Sequence, residues 1–301
     1  MSGIWLAAAW MGGALLSFMA MAVGGRELSA EIATFEILFL RSVVGLLILA
    51  IVILAGRRAR ELRTRRLGSH VVRNLAHFVG QAGWFYGLAF VPLVEVFAIE
   101  FTAPIWTAIL APFLLRERLT PRRFLAIALG FIGVLVLLRP GVRSLDFPTL
   151  ALLISALGYA TSHTLTRRLA LEDSALAILF YMTALQLPLG FVLALADWSW
   201  PSLAAWPWIV AVGVTALSAH YCVANALRHA DAVVVVPLDF LRLPLIAVVG
   251  YLFYGEALSL WVALGAAIIL GGNALNLVRW QTPSIPRPDA QLAAPERRGS
   301  D

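Results

Sequence analysis

Four charged residues lie deep inside long apolar runs of this sequence: Arg41, Glu100, Asp239 and Arg242. A charged side chain at the centre of a bilayer costs roughly 3 kcal/mol on insertion scales. Such residues therefore pair with one another, line a water-filled cavity or serve the path of a substrate or ion. Carboxylates and guanidinium groups that face a wet cavity can bind the opposite charges of a solute or exchange protons with it.

The depth of the two acids follows from helix geometry. Glu100 lies eight residues beyond Pro92, where its apolar run begins, and Asp239 lies eight residues beyond Asp231. At 1.5 Å per residue, each acid is ~12 Å from its own end of a helix. If the two helices enter a ~30 Å hydrocarbon core from opposite sides, the acids differ by only ~6 Å along the membrane normal.

The two arginines lie at similar levels. Arg41 is ~9 Å into its run, within a turn of the level of Glu100, and Arg242 is one turn beyond Asp239 on the same helix face. We therefore predict two charge-compensated pairs, Arg41–Glu100 and Asp239–Arg242, that line one polar cavity. The alternative interpretation is that the same ion pairs only hold helices together.

Three histidines, His77, His163 and His220, lie ~7 to 12 Å from the nearer ends of their apolar runs. Converging neutral imidazoles could bind a metal ion, relay protons together with carboxylates, or only donate hydrogen bonds between helices. They come from three different runs, so the sequence does not show that they converge. We predict no metal site and no cofactor, and proton relay stays open.

Aromatic and amide side chains complete the predicted site. Trp84 and Trp106 are far enough from the ends of their runs to stack on a flat or apolar solute. Gln81 lies near Trp84 on the run that carries His77. The predicted substrate or translocation residues are Arg41, His77, Gln81, Trp84, Glu100, His163, His220, Asp239 and Arg242.

Membrane-spanning helices must position these residues. Of the 301 residues, 61% are hydrophobic and 13% are charged, and the mean hydropathy is +0.86; a soluble domain carries roughly 25% charged residues. A helical span needs ~20 apolar residues. That length predicts about ten helices, near 3–23, 35–55, 71–91, 93–115, 121–139, 149–168, 175–196, 206–228, 232–254 and 260–279.

The distribution of charge orients the predicted helices. All 23 basic residues are Arg, and they cluster in alternate loops, above all at 57–66 and around 116–123. This positive-inside pattern places both termini in the cytoplasm. It also explains the net charge of +6 without a nucleic-acid partner. Ala20-Met21-Ala22 resembles a signal-peptide cleavage site, but no basic residue precedes the run, so we expect the first span to be kept.

The second half of the sequence repeats the first. Glu100-Phe101 recurs as Asp239-Phe240, and Glu117 recurs as Glu256. Five spans in each half turn the second repeat upside down relative to the first. The predicted fold is an all-α polytopic membrane protein of about ten transmembrane helices in two inverted five-helix repeats. The repeats are 1–140 and 149–279, and a disordered cytoplasmic tail follows at 280–301.

Several stretches resemble the EamA-type proteins of the drug/metabolite transporter superfamily. They are AFVPLVEVFAIEFTAPI from Ala89 to Ile105, LLRERL from Leu114 to Leu119, GFIGVLVLLRPG from Gly130 to Gly141, and the second copy from Pro244 to Gly272. The resemblance implies a ten-helix bundle in the bacterial inner membrane. It also implies secondary transport of a metabolite, with amino acids, nucleoside-like compounds and vitamins among the substrates of the family.

These observations favour a secondary transporter over an enzyme. The sequence shows no phosphate-cradling loop and no positional catalytic motif. We predict that a small polar or zwitterionic solute crosses the membrane by alternating access around a midplane cavity. The competing interpretations are an intramembrane enzyme, a lipid-headgroup flippase and a passive scaffold. The expected partners are the solute and the lipid bilayer, while proton coupling, direction and a monomeric or homodimeric state stay open.

Overall fold

The computed structural model describes residues 3–115, 121–139, 146–230, 235 and 238–277, and within them all regular structure is helical. The predicted tail at 280–301 lies outside the described residues. The helices are α1 (Gly3–Ser29), α2 (Thr34–Ala55), a 3-10 turn (Ala59–Leu62), α3 (Leu67–Phe90), α4 (Leu93–Glu100), α5 (Ala103–Leu115), α6 (Pro121–Leu138), α7 (Phe147–Leu169), α8 (Ala175–Ala194), α9 (Trp206–His229), α10 (Arg242–Tyr254) and α11 (Leu260–Leu277).

Many of these helices are apolar enough to cross a bilayer. Five described segments have the length and composition of a span, namely Gly3–Ser29, Thr34–Ala55, Leu93–Leu110, Ala175–Ala194 and Trp206–His229. Phe124–Leu138, Arg242–Tyr254 and Leu260–Leu275 are shorter apolar helices. The helices α3 and α7 are long, but they carry more polar side chains. The all-α polytopic fold predicted from hydropathy is confirmed.

Local sequence sets several helix ends. The Asp146 carboxylate accepts a hydrogen bond from the Thr149 amide, and the Ser174 hydroxyl accepts one from the Ala177 amide, so both cap the following helix. Gly255 ends α10 in the left-handed conformation, with φ of 62°. A side chain with a Cβ is strained in that conformation, which makes glycine the favoured residue there.

The predicted fourth span is broken near its middle. The first part, α4, ends at Glu100, Phe101 and Thr102 form a turn, and α5 begins at Ala103. Pro104 explains the break, because it has no amide hydrogen to donate to the carbonyl of Glu100, four residues before it. The Thr102 hydroxyl and amide both donate to the Ile99 carbonyl, at 2.6 and 3.0 Å, and so complete the last turn of α4.

The predicted ninth span is broken at the equivalent place. Asp239 is helical, Phe240 and Leu241 form a turn, and α10 begins at Arg242. Pro244 lies at the start of this second segment, as Pro104 does in the first. The start of the ninth span at 231–234 and residues 236–237 lie outside the described residues. The two spans predicted at 93–115 and 232–254 are therefore interrupted at equivalent residues.

The helices pack in pairs that link the two halves of the chain. The first helix of each half, α1 or α7, packs along the third helix of the other half, α9 or α3. The helices α2 and α8 pack together, as do α6 and α11, and α4 packs against α10. Exchanging the two halves maps the α1–α9 pair onto the α3–α7 pair, and it maps the α2–α8 and α6–α11 pairs onto themselves. The packing is therefore that of two interlocked five-helix units.

The two ends of the bundle differ in packing. We call the end with loops 56–66 and 170–174 the basic end, and the end with loops 30–33, 195–205 and 255–259 the opposite end. Asp173 lies 2.9 Å from Thr64 of loop 56–66 and 2.9 Å from His70 of α3, and these contacts join the second loop of the basic end to the first loop and to α3. The largest apolar core lies in the half of the bundle near the opposite end, and it includes Phe85, Leu88, Leu93, Phe97 and Ile209. The other half contains only smaller apolar clusters among the described residues.

Candidate functional site

A cavity of about 200 Å³, lined by both polar and apolar side chains, lies at the level of the two helix breaks. Its wall reaches toward the basic end through Met11, Val223 and Leu227. All nine residues of the predicted site line it, together with Phe18, Met21, Tyr159, Ala216 and Val235. The fold therefore gathers side chains from α1, α2, α3, α4, α7, α9 and both segments of the ninth span around one space.

Two acids share one arginine on one wall of the cavity. The Arg242 guanidinium donates through one terminal nitrogen to Glu100 Oε1 at 3.1 Å and through the other to Asp239 Oδ2 at 2.7 Å. Trp84 Nε1 donates to the second oxygen of Glu100 at 2.8 Å. The predicted Asp239–Arg242 pair is present, and Arg242 also links the two repeats by binding Glu100. We call Glu100, Asp239 and Arg242 the acidic triad, because their formal charges sum to −1.

Aromatic rings enclose the shared arginine. The guanidinium carbon of Arg242 lies 4.3 Å from the ring centroid of Phe18, 4.9 Å from that of Phe101 and 5.7 Å from that of Phe97. A cation over an aromatic face is stabilised by the negative face of the ring. Arg242 is only 6% exposed, so the two carboxylates and these rings fix its position tightly.

The predicted pair between Arg41 and Glu100 is wrong. With the Gln81 amide in the orientation that satisfies its neighbours, its oxygen accepts from the two terminal nitrogens of Arg41 at 2.7 and 2.8 Å. Arg41 is 6% exposed, and no carboxylate in the described part of the chain lies within ion-pair distance of it. Gln81 on α3 binds Arg41, and Arg242 and Trp84 take both oxygens of Glu100.

The three histidines line the cavity beside Arg41. His77 Nδ1 is 3.0 Å from Gln186 Nε2, and the His77 ring lies 6.1 Å from that of His220, centroid to centroid. Tyr159 stands between His77 and His163, with ring centroids 5.5 and 6.1 Å away. Among the described residues, no group of three or more His, Cys, Asp or Glu side chains is arranged to hold a metal ion.

Two aromatic residues of the wall were missing from the predicted set. Tyr159 carries a polar hydroxyl inside an apolar run, and that pattern is a reason to add it to the predicted site. Phe18 gives no such signal, because a phenylalanine in an apolar span looks like any core residue. Of the two tryptophans predicted to stack on a solute, Trp84 lines the cavity. Trp106 instead packs against Phe131 with the two rings nearly perpendicular and their centroids 5.3 Å apart.

The charges of the cavity wall are separated into two poles. Arg41 forms a positive pole, and the acidic triad forms a negative one. Gln81, which binds Arg41, and Trp84, which binds Glu100, are three residues apart on α3. A rise of ~4.5 Å along α3 therefore separates the anchoring points of the two poles. With neutral imidazoles, the formal charge of the whole wall is zero.

The opposite end is closed by a separate polar network. A terminal nitrogen of Arg26 donates to Glu256 Oε1 at 3.0 Å and to the Val91 carbonyl at 2.6 Å. The Leu93 amide donates to the other oxygen of Glu256 at 2.8 Å. Burial raises the pKa of the Glu256 carboxyl, while the Leu93 amide and Arg26 act in the other direction. This network ties α1 to the start of α4 and to the loop after α10.

Comparison with known proteins agrees with the repeat and the fold. A family model described as the EamA-like transporter family matches the chain twice, over residues 5–139 and 147–278. The chain is 31% identical over 239 residues to a riboflavin transporter of Brucella anthropi, and the aligned region covers 77% of this chain and 84% of that protein. It is 27% identical over 249 residues to an S-adenosylmethionine uptake transporter of Rickettsia prowazekii, which spans 82% and 84% of the two chains.

A crystal structure with 22% sequence identity has the same fold. It superposes with a TM-score of 0.63 and covers 90% of this chain and 96% of its own.

Proposed function

Because this chain belongs to the EamA-like transporter family, we propose that it carries a small polar or zwitterionic metabolite across the bacterial inner membrane by alternating access. Amino-acid-like, nucleoside-like and vitamin-like molecules are the candidate classes. The riboflavin and S-adenosylmethionine transporters among its relatives support the last two classes.

The cavity between the repeats carries this proposal. Equivalent residues of the two halves, Glu100 and Asp239, meet there through Arg242. Transporters built from inverted repeats bind their substrates near the bilayer midplane, at interrupted helices of this kind. The two breaks lie at equivalent residues, so rocking one half against the other could open the same wall to either side.

The described conformation corresponds to access from the cytoplasm. The wall of the cavity extends toward the basic end, and the positive-inside bias assigns that end, with both termini, to the cytoplasm. Toward the opposite end, the large apolar core and the Arg26–Glu256 contact close the path. In the alternate state this contact must open while the basic end closes.

Chemistry on the solute has no support from the geometry. The wall combines paired ions, amides and imidazoles, and it lacks a nucleophile held by a base among the described residues. Proton coupling through the histidines and the acidic triad stays a prediction, as does a monomeric or homodimeric state. The flippase and enzyme interpretations are separated from metabolite transport by the experiment below.

The test is uptake into sealed proteoliposomes of phosphatidylcholine that contain the purified protein. Labelled riboflavin, S-adenosylmethionine, amino acids and nucleosides are offered one at a time, and mass spectrometry identifies the internal solute. We expect at least one solute to accumulate chemically unchanged. We expect Glu100→Ala to abolish that accumulation, while Arg58→Ala, in an exposed ion pair with Glu61, leaves it unchanged. Chemical conversion of the solute would contradict the proposal, and so would equal uptake by Glu100→Ala and the wild type.

A further inference from the structure

Arg41 is the charged group of the cavity that the protein leaves without a counter-ion. Arg242, equally buried, binds two carboxylates. Arg41 binds one neutral amide oxygen with both terminal nitrogens, and its guanidinium carbon lies 5.8 Å from the ring centroid of Phe85. Burying a charge without a partner costs several kcal/mol. A side chain that pays this cost while it faces a cavity has the arrangement expected of a ligand-binding group.

A second buried arginine shows what a structural role looks like in this protein. Arg73 is 4% exposed and likewise has no carboxylate within ion-pair distance among the described residues. Its Nε donates to Thr166 Oγ1 at 2.9 Å, and one terminal nitrogen donates to Asn74 Oδ1 at 2.7 Å. These two oxygens lie on opposite sides of an α3–α7 contact, and Arg73 does not line the cavity. Arg73 therefore joins helices outside the cavity, whereas Arg41 lines the cavity wall.

We propose that Arg41 binds a carboxylate of the substrate, and that the acidic triad receives a cationic group of the same molecule. This inference rests on the proposed transport function and narrows the substrate to a zwitterion. A carboxylate can accept two parallel hydrogen bonds from a guanidinium, which is a strong and directional contact. One negative charge beside Arg41 and one positive charge beside the triad would neutralise both poles.

The two poles are anchored close together on α3, and this suits a compact zwitterion. Their anchoring points on α3, Gln81 and Trp84, are separated by a rise of ~4.5 Å, which suits an ammonium or sulfonium group a few bonds away from a carboxylate. Tyr159 and Phe18 line the same cavity and offer ring faces to an apolar or heteroaromatic remainder. A neutral flavin, which has no carboxylate, would leave Arg41 uncompensated.

The contact between Arg41 and the substrate carboxylate is tested by removing the carboxylate from the solute, the guanidinium from the protein, or both. Pairs of solutes that differ by one carboxylate are offered to the reconstituted protein: S-adenosylmethionine with its decarboxylated form, and amino acids with the corresponding amines. Uptake is measured for the wild type, Arg41→Gln and Arg41→Lys in phosphatidylcholine liposomes, which contain no anionic headgroup. Arg73→Gln is the matched control, because it deletes a buried guanidinium outside the cavity.

We expect the wild type to prefer the carboxylate-bearing member of a transported pair on the order of 10- to 100-fold, the range of one charge-assisted contact. Arg41→Gln should bring that ratio close to one, and Arg41→Lys should keep part of it. Arg73→Gln should keep the full ratio even if the total uptake falls. Since the readout is a ratio within one variant, poor folding of a variant does not imitate the expected result.

Two outcomes would overturn the carboxylate site while leaving metabolite transport intact. One is a wild-type protein that moves only solutes without a carboxylate, such as riboflavin. The other is an Arg41→Gln protein that discriminates within a pair as well as the wild type does. If no solute of the panel moves, the proposed transport itself fails, and the carboxylate site fails with it.

Discussion

The two helix breaks at the centre of the bundle have the same backbone design and different chemistry. In the first repeat the break reads Glu100-Phe101-Thr102-Ala103, and in the second it reads Asp239-Phe240-Leu241-Arg242. Both place an acid at the end of one helical segment, an aromatic residue in the turn and a proline soon after it. The difference is that only the second break supplies a cation.

That single difference makes the cavity asymmetric. Arg242 binds the acid of its own repeat and the acid of the other repeat, so one cation serves both breaks. Arg41, which we predicted to neutralise Glu100, is left to bind an amide. A duplicated scaffold can thus keep its symmetric backbone while one substitution separates positive from negative charge across the cavity.

The largest expected effect comes from making the second break resemble the first. Arg242→Ala leaves the partly buried carboxylates of Glu100 and Asp239 without a cation. Breaking a buried ion pair by removing one partner costs about 3 to 5 kcal/mol. We expect solute uptake to be lost and the melting temperature of the detergent-purified protein to fall sharply.

Two further variants restore the positive charge, either at the same residue or at the equivalent residue of the other repeat. Arg242→Lys keeps a cation and should retain part of the stability, although it loses the two-pronged geometry. The double variant Ala103→Arg/Arg242→Ala moves the cation to the equivalent residue of the first break. A melting temperature above that of Arg242→Ala would support the equivalence of the two breaks, and one below it would contradict that equivalence.

The sequence was sufficient to predict nine of the side chains that line the central cavity. Each of the nine predicted residues is polar or aromatic within an apolar run, and helix rise alone brought Glu100 and Asp239 to similar levels. Hydropathy reports depth along the membrane normal, however, and contains no information on which helices are neighbours. The lateral placement of α3 puts Gln81 at Arg41, and for that reason the predicted Arg41–Glu100 pair failed.

The breaks themselves were only half visible in the sequence. Pro104 and Pro244 indicate lost backbone hydrogen bonds inside a span, but a proline can produce a kink, a bulge or a full turn. The full turn seen in the first break is stabilised by one local and one tertiary hydrogen bond. Thr102 donates to the Ile99 carbonyl, and Asn273 of α11 donates to the Phe101 carbonyl at 2.7 Å.

A substitution of Trp84 at the first break should have a smaller effect than a substitution of Arg242 at the second. Trp84→Phe keeps an aromatic ring but removes the indole donor to Glu100. A hydrogen bond to a charged group contributes about 1.5 to 3 kcal/mol, so we expect a measurable loss of thermal stability and reduced uptake. Trp106→Phe is the matched control, since Trp106 packs against Phe131 away from the cavity. Equal losses in the two variants would contradict a role of the indole N–H.

Asn273 tests whether the two turns need different support. Its side-chain amide donates a hydrogen bond to the Phe101 carbonyl. In the second break, the equivalent Phe240 carbonyl instead accepts a hydrogen bond from the backbone amide of Leu243, at 3.1 Å. Asn273→Ala should therefore destabilise the first break alone, by about 1 kcal/mol. Thermal unfolding gives the stability, and hydrogen exchange should show faster opening at 99–106 than in α10. Uniform acceleration in both regions would contradict local support.

Glu256 provides the smallest expected effect, and it measures an ion pair far from both breaks. Burial raises the pKa of this carboxyl in the folded protein despite Arg26. A raised pKa of an acid means that the folded state favours the protonated form. Its contribution to stability is therefore present at low pH and is lost as the pH rises through the folded-state pKa.

Glu256→Gln keeps an acceptor for the Leu93 amide and cannot ionise. We expect its melting temperature to match that of the wild type at about pH 4.5 and to equal or exceed it at pH 8. The corresponding difference in the free energy of unfolding should be within about 1 kcal/mol, the range of ion pairs near a protein surface. The measurement is a melting curve of both proteins across that pH range. If the wild type instead gains stability over Glu256→Gln as the pH rises, the bond to Arg26 outweighs burial, and the ion pairs at the closed end and at the breaks obey the same balance.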